Sequence, residues 1–370
     1  ALSGKFTDIE TLYSAKKFLE SLDSKYYECR YDNVQFKIGH RESYLFNSSI
    51  QELDEADSIL IIGSNPRWEA SVLNSRIRRA YLHNNCKIGL IGKSLNLTYK
   101  YEHLSESIDF LNNIIEDNSS FCEILYNSKK PFIILGNSAI DYEEGEDVLE
   151  LCAQIAKKFN ISNETRNGFN VIQQDISKVG ALDIGFYNKI FSKNFSYNIK
   201  QHIDTYKPVL FLLNLDEINA EILDNAFTVY IGHHGDTLAQ ISDIVLPSPA
   251  YTEKSSTYVN MEGRVLQTTR CYHPLGQAKE EWKIFRSLSN NLYEKLKFNN
   301  LSELRTEFCH KYPLFKQLNI LPNQKNINFS SKKKIKKRIL DYNIKNFYMT
   351  DVISRASITM AKCTKEILNK

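Results

Sequence analysis

Short unbroken apolar runs recur along the chain, with longer amphipathic stretches between them. The runs at Ser58–Gly63, Lys87–Ile91, Phe132–Leu135, Val209–Leu213, Thr228–Ile231 and Ile244–Leu246 have no polar face. That pattern predicts strands of parallel sheets buried on both sides. Between them lie stretches with helical spacing. Asp8–Leu22 is predicted as a helix with Asp8 as its N-cap and Ile9, Leu12, Tyr13, Ala15, Phe18 and Leu19 on one face. Arg67–His83 places Ala70, Leu73, Ile77, Ala80 and Tyr81 together. Glu146–Phe159 and Glu280–Lys295 complete the set, the last with Trp282, Phe285, Leu288 and Leu292 facing inward. Residues 160–205 show weak periodicity and many Asn and Lys, which predicts a surface wrap.

Alternating strands and helices specify an α/β chain of Rossmann-like lobes, its parallel sheets covered by helices. The boundaries drawn from this pattern are an α/β domain over 1–300, with sub-lobes at about 50–160 and 205–300. A divergent linker follows over 301–343, and a C-terminal tail over 344–370. The linker carries a basic run, Lys332–Arg338, which lacks interleaved aromatics and reads as a solvated charge run.

Net charge is +3, close to balance, which argues against a nucleic-acid partner. No apolar run approaches the roughly 20 residues a membrane span needs, so the expectation is a soluble chain or the soluble part of something larger. The N-terminus, Ala-Leu-Ser-Gly, lacks a secretory pattern and an initiator Met, which suggests processing or numbering from an interior point. The seven cysteines are scattered, the closest two 30 residues apart, with no CxxC. Iron–sulfur and structural zinc sites nearly always use a tight pair, so these read as reduced structural thiols.

Three polar constellations follow predicted strands. Gly63-Ser64-Asn65-Pro66-Arg67 reads as a strand–helix turn whose free amides also suit a phosphate. His233-His234-Gly235-Asp236 has metal-binding residue types. Neighbouring strand residues point to opposite faces, however, and no third ligand is spaced to help. After Ser242-Asp243-Ile244-Val245-Leu246-Pro247 comes a loop with Glu253, Asn260, Glu262 and Arg264. The two glutamates suit either general acid/base work or loop capping, and capping is the plainer reading because no nucleophile accompanies them.

Taken together, these residues resemble the C-terminal, molybdopterin-oxidoreductase-like half of the large iron–sulfur subunit of respiratory complex I, known in bacterial enzymes as the G subunit. The resemblance rests on Ala56–Ala70, Asn74–Arg78, Ile91-Gly92 with Leu97-Thr98-Tyr99, Ala181–Gly185, Gly232–Asp236, the 242–264 stretch and the tail Phe347–Ser357. It implies a molybdopterin-oxidoreductase-like fold and a vestigial pocket formed by Asn65, Arg67, His233, Asp236, Glu253, Asn260 and Arg264. No recognisable molybdenum ligand is present, and Leu266 stands where the family's Gln follows Glu-Gly-Arg.

The expectation is therefore a structural component of NADH:ubiquinone reductase, with no catalytic residue, metal or cofactor of its own. The iron–sulfur clusters would belong to an N-terminal half, either a separate polypeptide of a split mitochondrial subunit or a segment outside this numbering. Its partners would be that half and other peripheral-arm subunits, on the matrix side of the mitochondrial inner membrane. A molybdopterin-dependent oxidoreductase domain and a nucleotide-binding regulatory module are the alternatives the residues leave open.

Overall fold

The structure is a computed structural model, and it describes residues 1–191, 193–323, 326–329, 333–342 and 344–368. In chain order its strands are β1 (Leu2–Ser3), β2 (Ser58–Ile62), β3 (Lys87–Ile91), β4 (Glu102–Ser105), β5 (Pro131–Leu135), β6 (Phe169–Val171), β7 (Val209–Leu213), β8 (Phe227–Gly232), β9 (Ile244–Pro247), β10 (Thr257–Val259) and β11 (Val265–Gln267). Among the described residues they form two parallel sheets, ordered β4-β3-β2-β5-β6 and β1-β7-β8-β9, and an antiparallel hairpin, β10-β11. This is an α/β fold of two parallel sheets covered by helices, as the alternation of strands and helices predicts.

Each sheet is buried on both faces for a reason visible in β2. Ile59 and Ile61 pack with Leu73, Ile77 and Ala80 of the helix Ser71–Asn84. Leu60 and Ile62 point the other way, into Val148, Leu149, Cys152 and Ile155 of the helix Gly145–Lys158. Alternation across the strand thus supplies two cores at once. Full burial of such a side chain contributes roughly 1.5–3 kcal/mol. The second sheet repeats the device. Phe211, Leu213, Val229 and Ile231 face the helices Ile9–Glu20 and Glu281–Leu288, and Leu210, Leu212 and Tyr230 face the helix Phe195–Tyr206.

The structure departs from the sequence expectations at several places. The stretch 67–83 is two helices, Pro66–Glu69 and Ser71–Asn84, broken at Ala70 (φ −151°, ψ 65°). The short first turn winds on the Asn65 carbonyl, which accepts from the amides of Trp68 and Glu69 at 3.0 and 2.9 Å. Residues 160–205 do not merely wrap the surface, because they supply β6 and the helix Lys178–Asp183, both largely buried. The helix begun at Glu281 ends at Leu288 rather than Lys295 and passes into a 3-10 turn. There the Ser289 hydroxyl donates to the Arg286 carbonyl at 2.7 Å and accepts from the Leu296 amide at 3.1 Å.

The presumed linker 301–343 is not loose. It opens with the helix Leu301–Lys311, packed through Leu304 and Phe308 on the second sheet's core. Beyond it, Ile327, Phe329, Ile335 and Leu340 bury themselves in the first sheet's core. The basic run lies against acidic neighbours: Lys334 with Glu116 (2.7 Å), Lys333 with Asp147 (2.9 Å), Arg338 with Asp141 (2.9 Å). Lys332 lies outside the described residues. The two sheets also reach beyond the sub-lobe ranges 50–160 and 205–300, since β6 ends at Val171 and β1 is Leu2–Ser3.

β9 is an edge strand, not a central one. It pairs with β8 alone, and Ile244 and Val245 are 41% and 49% exposed.

Candidate functional site

In open α/β sheets the crevice beyond the carboxyl ends of the strands is where ligands sit, at the point where strand order reverses. In the first sheet that point lies between β2 and β5. The loops leaving them, Gly63–Pro66 and Gly136–Ala139, are closed directly on one another. The Ser138 hydroxyl donates to the Gly63 carbonyl at 2.6 Å, and the Gly136 amide to the Ile62 carbonyl at 2.8 Å. A Cβ at Gly136 would stand 2.2 Å from the Gly63 carbonyl oxygen, so only glycine permits this approach.

Outside this seam lies a crevice of about 790 Å³. It is walled by segments that follow β1 (Lys5, Phe6), β2 (Trp68, Glu69), β5 (Asn137, Asp141), β6 (Asp175) and β7 (Glu217), with Tyr31 and Asp32 at its side. Both sheets therefore contribute. The C-terminal tail forms the remaining wall, from Ile344 to Asp351. Lys5 Nζ donates to the Thr350 carbonyl at 2.5 Å, and the Trp68 and Phe347 rings lie 6.4 Å apart. Asp351 caps the next short helix by accepting from the Ile353 and Ser354 amides at 2.9 and 3.0 Å. Arg355 on that helix then reaches Asp236 at 2.6 Å and Glu217 at 3.6 Å.

The crevice is acidic. Burial pushes the Glu69, Asp175 and Glu217 carboxyls above their ordinary range, despite the hydroxyl of Ser64 beside Glu69 and the ammonium groups of Lys178 and Lys5 near the other two. Lys178 is itself buried. That burial opposes its charge, but Asp32 at 2.8 Å together with Cys29 and Asp175 outweighs it and raises the ammonium's affinity for its proton.

The seven sequence-predicted site residues are not one constellation. Asn65 is buried at the seam and its Oδ1 has no partner. Arg67 points outward and donates to the Asn96 carbonyl at 3.0 Å. His233 follows β8 and meets His234, Nδ1 to Nδ1, at 3.0 Å. The two rings meet because the strand has ended and His234 adopts φ +57°, so strand alternation does not apply to them. Asp236 is held by Arg355. Glu253 accepts from the amide of Ala250 at 3.1 Å, a loop cap. Asn260 and Arg264 stand on the β10–β11 turn: Asn260 Oδ1 accepts from the Arg264 amide at 2.9 Å, and the guanidinium donates to the Asn319 carbonyl at 2.6 Å. Glu262 accepts from the Ile50 amide at 2.8 Å. None of the seven is among the crevice-lining residues. Among the described residues no group of three or more His, Cys, Asp or Glu is arranged to hold a metal ion.

Sequence reasoning misses the actual wall residues because single carboxylates such as Glu69, Asp175 and Glu217 form no motif. The available signal is positional: each follows the carboxyl end of a strand.

The sequence profile of molybdopterin oxidoreductases matches residues 1–291. The chain belongs to the molybdopterin oxidoreductase family. A second profile, the C-terminal region of the NADH-ubiquinone oxidoreductase G subunit, matches residues 320–363 and so includes the tail that walls the crevice. The chain is 36% identical over 365 residues to the NADH-quinone oxidoreductase G subunit of Rickettsia bellii, covering 99% of this chain and 52% of that protein. It is 36% identical over 380 residues to the NADH-ubiquinone oxidoreductase 75 kDa subunit of Reclinomonas americana, covering 98% and 54%. Against the 78 kDa mitochondrial subunit of Candida albicans the identity is 37% over 379 residues, covering 98% and 51%. The chain thus spans about half the length of these curated relatives. Among solved structures, the formyltransferase/hydrolase complex (FhcABCD) of Methylorubrum extorquens with methylofuran shares the fold. The TM-score is 0.56 at 14% identity, covering 77% of this chain and 88% of that one.

Proposed function

We propose that this chain is the non-catalytic half of a large iron–sulfur subunit in the peripheral, NADH-oxidising arm of respiratory complex I. It supports a cluster-bearing half, and electrons pass through that half's iron–sulfur clusters rather than through this chain. In the same reading the assembly stands on the matrix side of the mitochondrial inner membrane.

One observation carries the reading. The segment matched by the complex I C-terminal profile walls the crevice at the carboxyl ends of the strands and is tied down by Lys5–Thr350 and Arg355–Asp236. The crevice chemistry supports it too. A pterin dinucleotide carries a pyrophosphate, which needs free amides or cations. Here the short turn after β2 presents Glu69, with Asp175, Asp141 and Glu217 around it. The residues present do not fit such an anion. The seven cysteines are scattered, with no tight pair in the sequence, which supports clusters held on the other half.

The test is to solubilise native membranes gently, separate intact complexes and identify every polypeptide that migrates with this chain. Co-migration with an NADH-oxidising assembly that contains a Cys-rich, cluster-bearing sequence is the expected result. Migration alone as a small species would remove the respiratory role.

A further inference from the structure

The crevice that rejects an anion has acceptors to spare. Its wall holds six carboxylates, Asp32, Glu69, Asp141, Asp175, Glu217 and Asp351, against two ammonium groups, Lys5 and Lys345. Several are matched: Asp32 by Lys178, Asp141 by Arg338, Glu217 by Lys5 and Arg355. Glu69 and Asp175 are not. Glu69 accepts from the Ser64 hydroxyl and Asp175 from the Tyr31 hydroxyl, both at 2.7 Å, and among the described residues neither has a cation at ion-pair distance.

An independent feature points the same way. Asn137 lines the crevice, is 3% exposed, and its Oδ1 has no hydrogen-bond partner. A buried acceptor left without a donor destabilises the fold. One lining an acidic cavity is met by a ligand that donates hydrogen bonds.

We propose that the crevice binds a small organic cation bearing primary ammonium groups, such as a linear polyamine. A polyamine presents N–H donors at intervals, and the acceptors here are dispersed: Glu69 after β2, Asn137 after β5, Asp175 after β6. A divalent metal needs its ligands converged on one point, and no such group exists among the described residues. The free volume of about 790 Å³ persists with the tail in place, so binding needs no opening of the Lys5–Thr350 tether. This inference does not depend on the respiratory role.

The experiment is calorimetric titration of spermidine into the purified full chain, with inorganic pyrophosphate as the anionic control. Saturable binding of spermidine that weakens with salt is expected, with none for pyrophosphate. Glu69→Gln keeps the shape and removes the charge, and should weaken binding about tenfold or more, as expected for a lost charge-assisted contact. Asn137→Ala removes the orphan acceptor and should weaken it in the same direction. Melting temperatures of both variants establish that they fold, and if one does not, the other carries the test. No spermidine heat with folded wild-type protein overturns the proposal. So does spermidine binding that both folded variants leave unchanged, because it then lies elsewhere. Saturable binding of pyrophosphate would overturn the charge argument itself.

Discussion

Lys254 Nζ lies 2.7 Å from Glu281 Oε1, with the two side chains 3% and 1% exposed. Asp8 Oδ2 completes the group at 2.8 Å from the same ammonium. These three residues tie the N-cap of the helix Ile9–Glu20 to the loop before β10 and to the first turn of the helix Glu281–Leu288. Burial opposes the charges of Asp8 and Lys254, yet Lys254 holds Asp8 below the ordinary carboxylate range, and Asp8 and Glu281 hold Lys254 well above its usual value.

Removing the shared cation should therefore be severe. Lys254→Met leaves two carboxylates buried without it, and the expected loss is about 3–5 kcal/mol. Urea denaturation checks this. A midpoint unchanged from wild type would mean that water reaches the group and screens it.

Val245→Asp separates what the sequence implies from what the fold dictates. Three consecutive apolar residues imply a central strand, and a charge there should unfold the lobe. In the fold β9 is an edge strand and Val245 is half exposed. The aspartate can reach water, so the expected loss is about 1 kcal/mol or less. Leu212→Asp, at a fully buried position on β7, should instead abolish folding, because the charge has no route to solvent. Thermal melts of the two variants side by side decide it. Collapse of both would put β9 in an interior environment.

That contrast shows why some of the structure is legible in the sequence and some is not. β2, β5 and β7 declare themselves because each is apolar on both faces and long enough to give a period. β6 and the helix Lys178–Asp183 have three and six residues, too short for periodicity to register, so the stretch 160–205 reads wrongly as a wrap. The edge position of β9 is set by which strand pairs with which, and nothing local in Ile244–Leu246 encodes that. The site is harder still. Motif-like residues such as Glu253, Asn260 and Arg264 stabilise their own loops. The crevice is made by residues far apart in sequence, such as Lys5, Glu69, Asp175 and Thr350, brought together by the tertiary fold.

The tail tether gives a local prediction. Arg355 and Asp236 are 26% and 34% exposed, so their pair should contribute about 1 kcal/mol or less to global stability. Its effect falls on the segment it holds. Arg355→Ala should leave the melting temperature nearly unchanged while amide hydrogens in residues 350–356 exchange faster. Unaltered exchange there would show that Lys5 and the Asp351 cap hold the tail unaided.

His233 supplies a pH test with a defined sign. Burial, then Lys254 and His234, push its imidazole from the ordinary 6.5 down to about 4, against a weaker opposing pull from Asp351. The folded protein therefore keeps His233 neutral across a window in which the unfolded chain protonates it. Unfolding takes up a proton there, so this residue makes stability fall as pH drops from 6.5 toward 4, with no further change below that. Glu69 and Glu217 act with the opposite sign. Their raised values mean the folded state binds protons first, which makes stability rise on acidification. A raw stability curve mixes these contributions, whereas a difference curve does not. His233→Gln cannot titrate, and wild type minus variant should decline through the same window while the carboxylate contributions cancel. Urea midpoints measured for both proteins at steps of pH yield that difference, and a flat result would show that His233 titrates alike in the folded and unfolded chains.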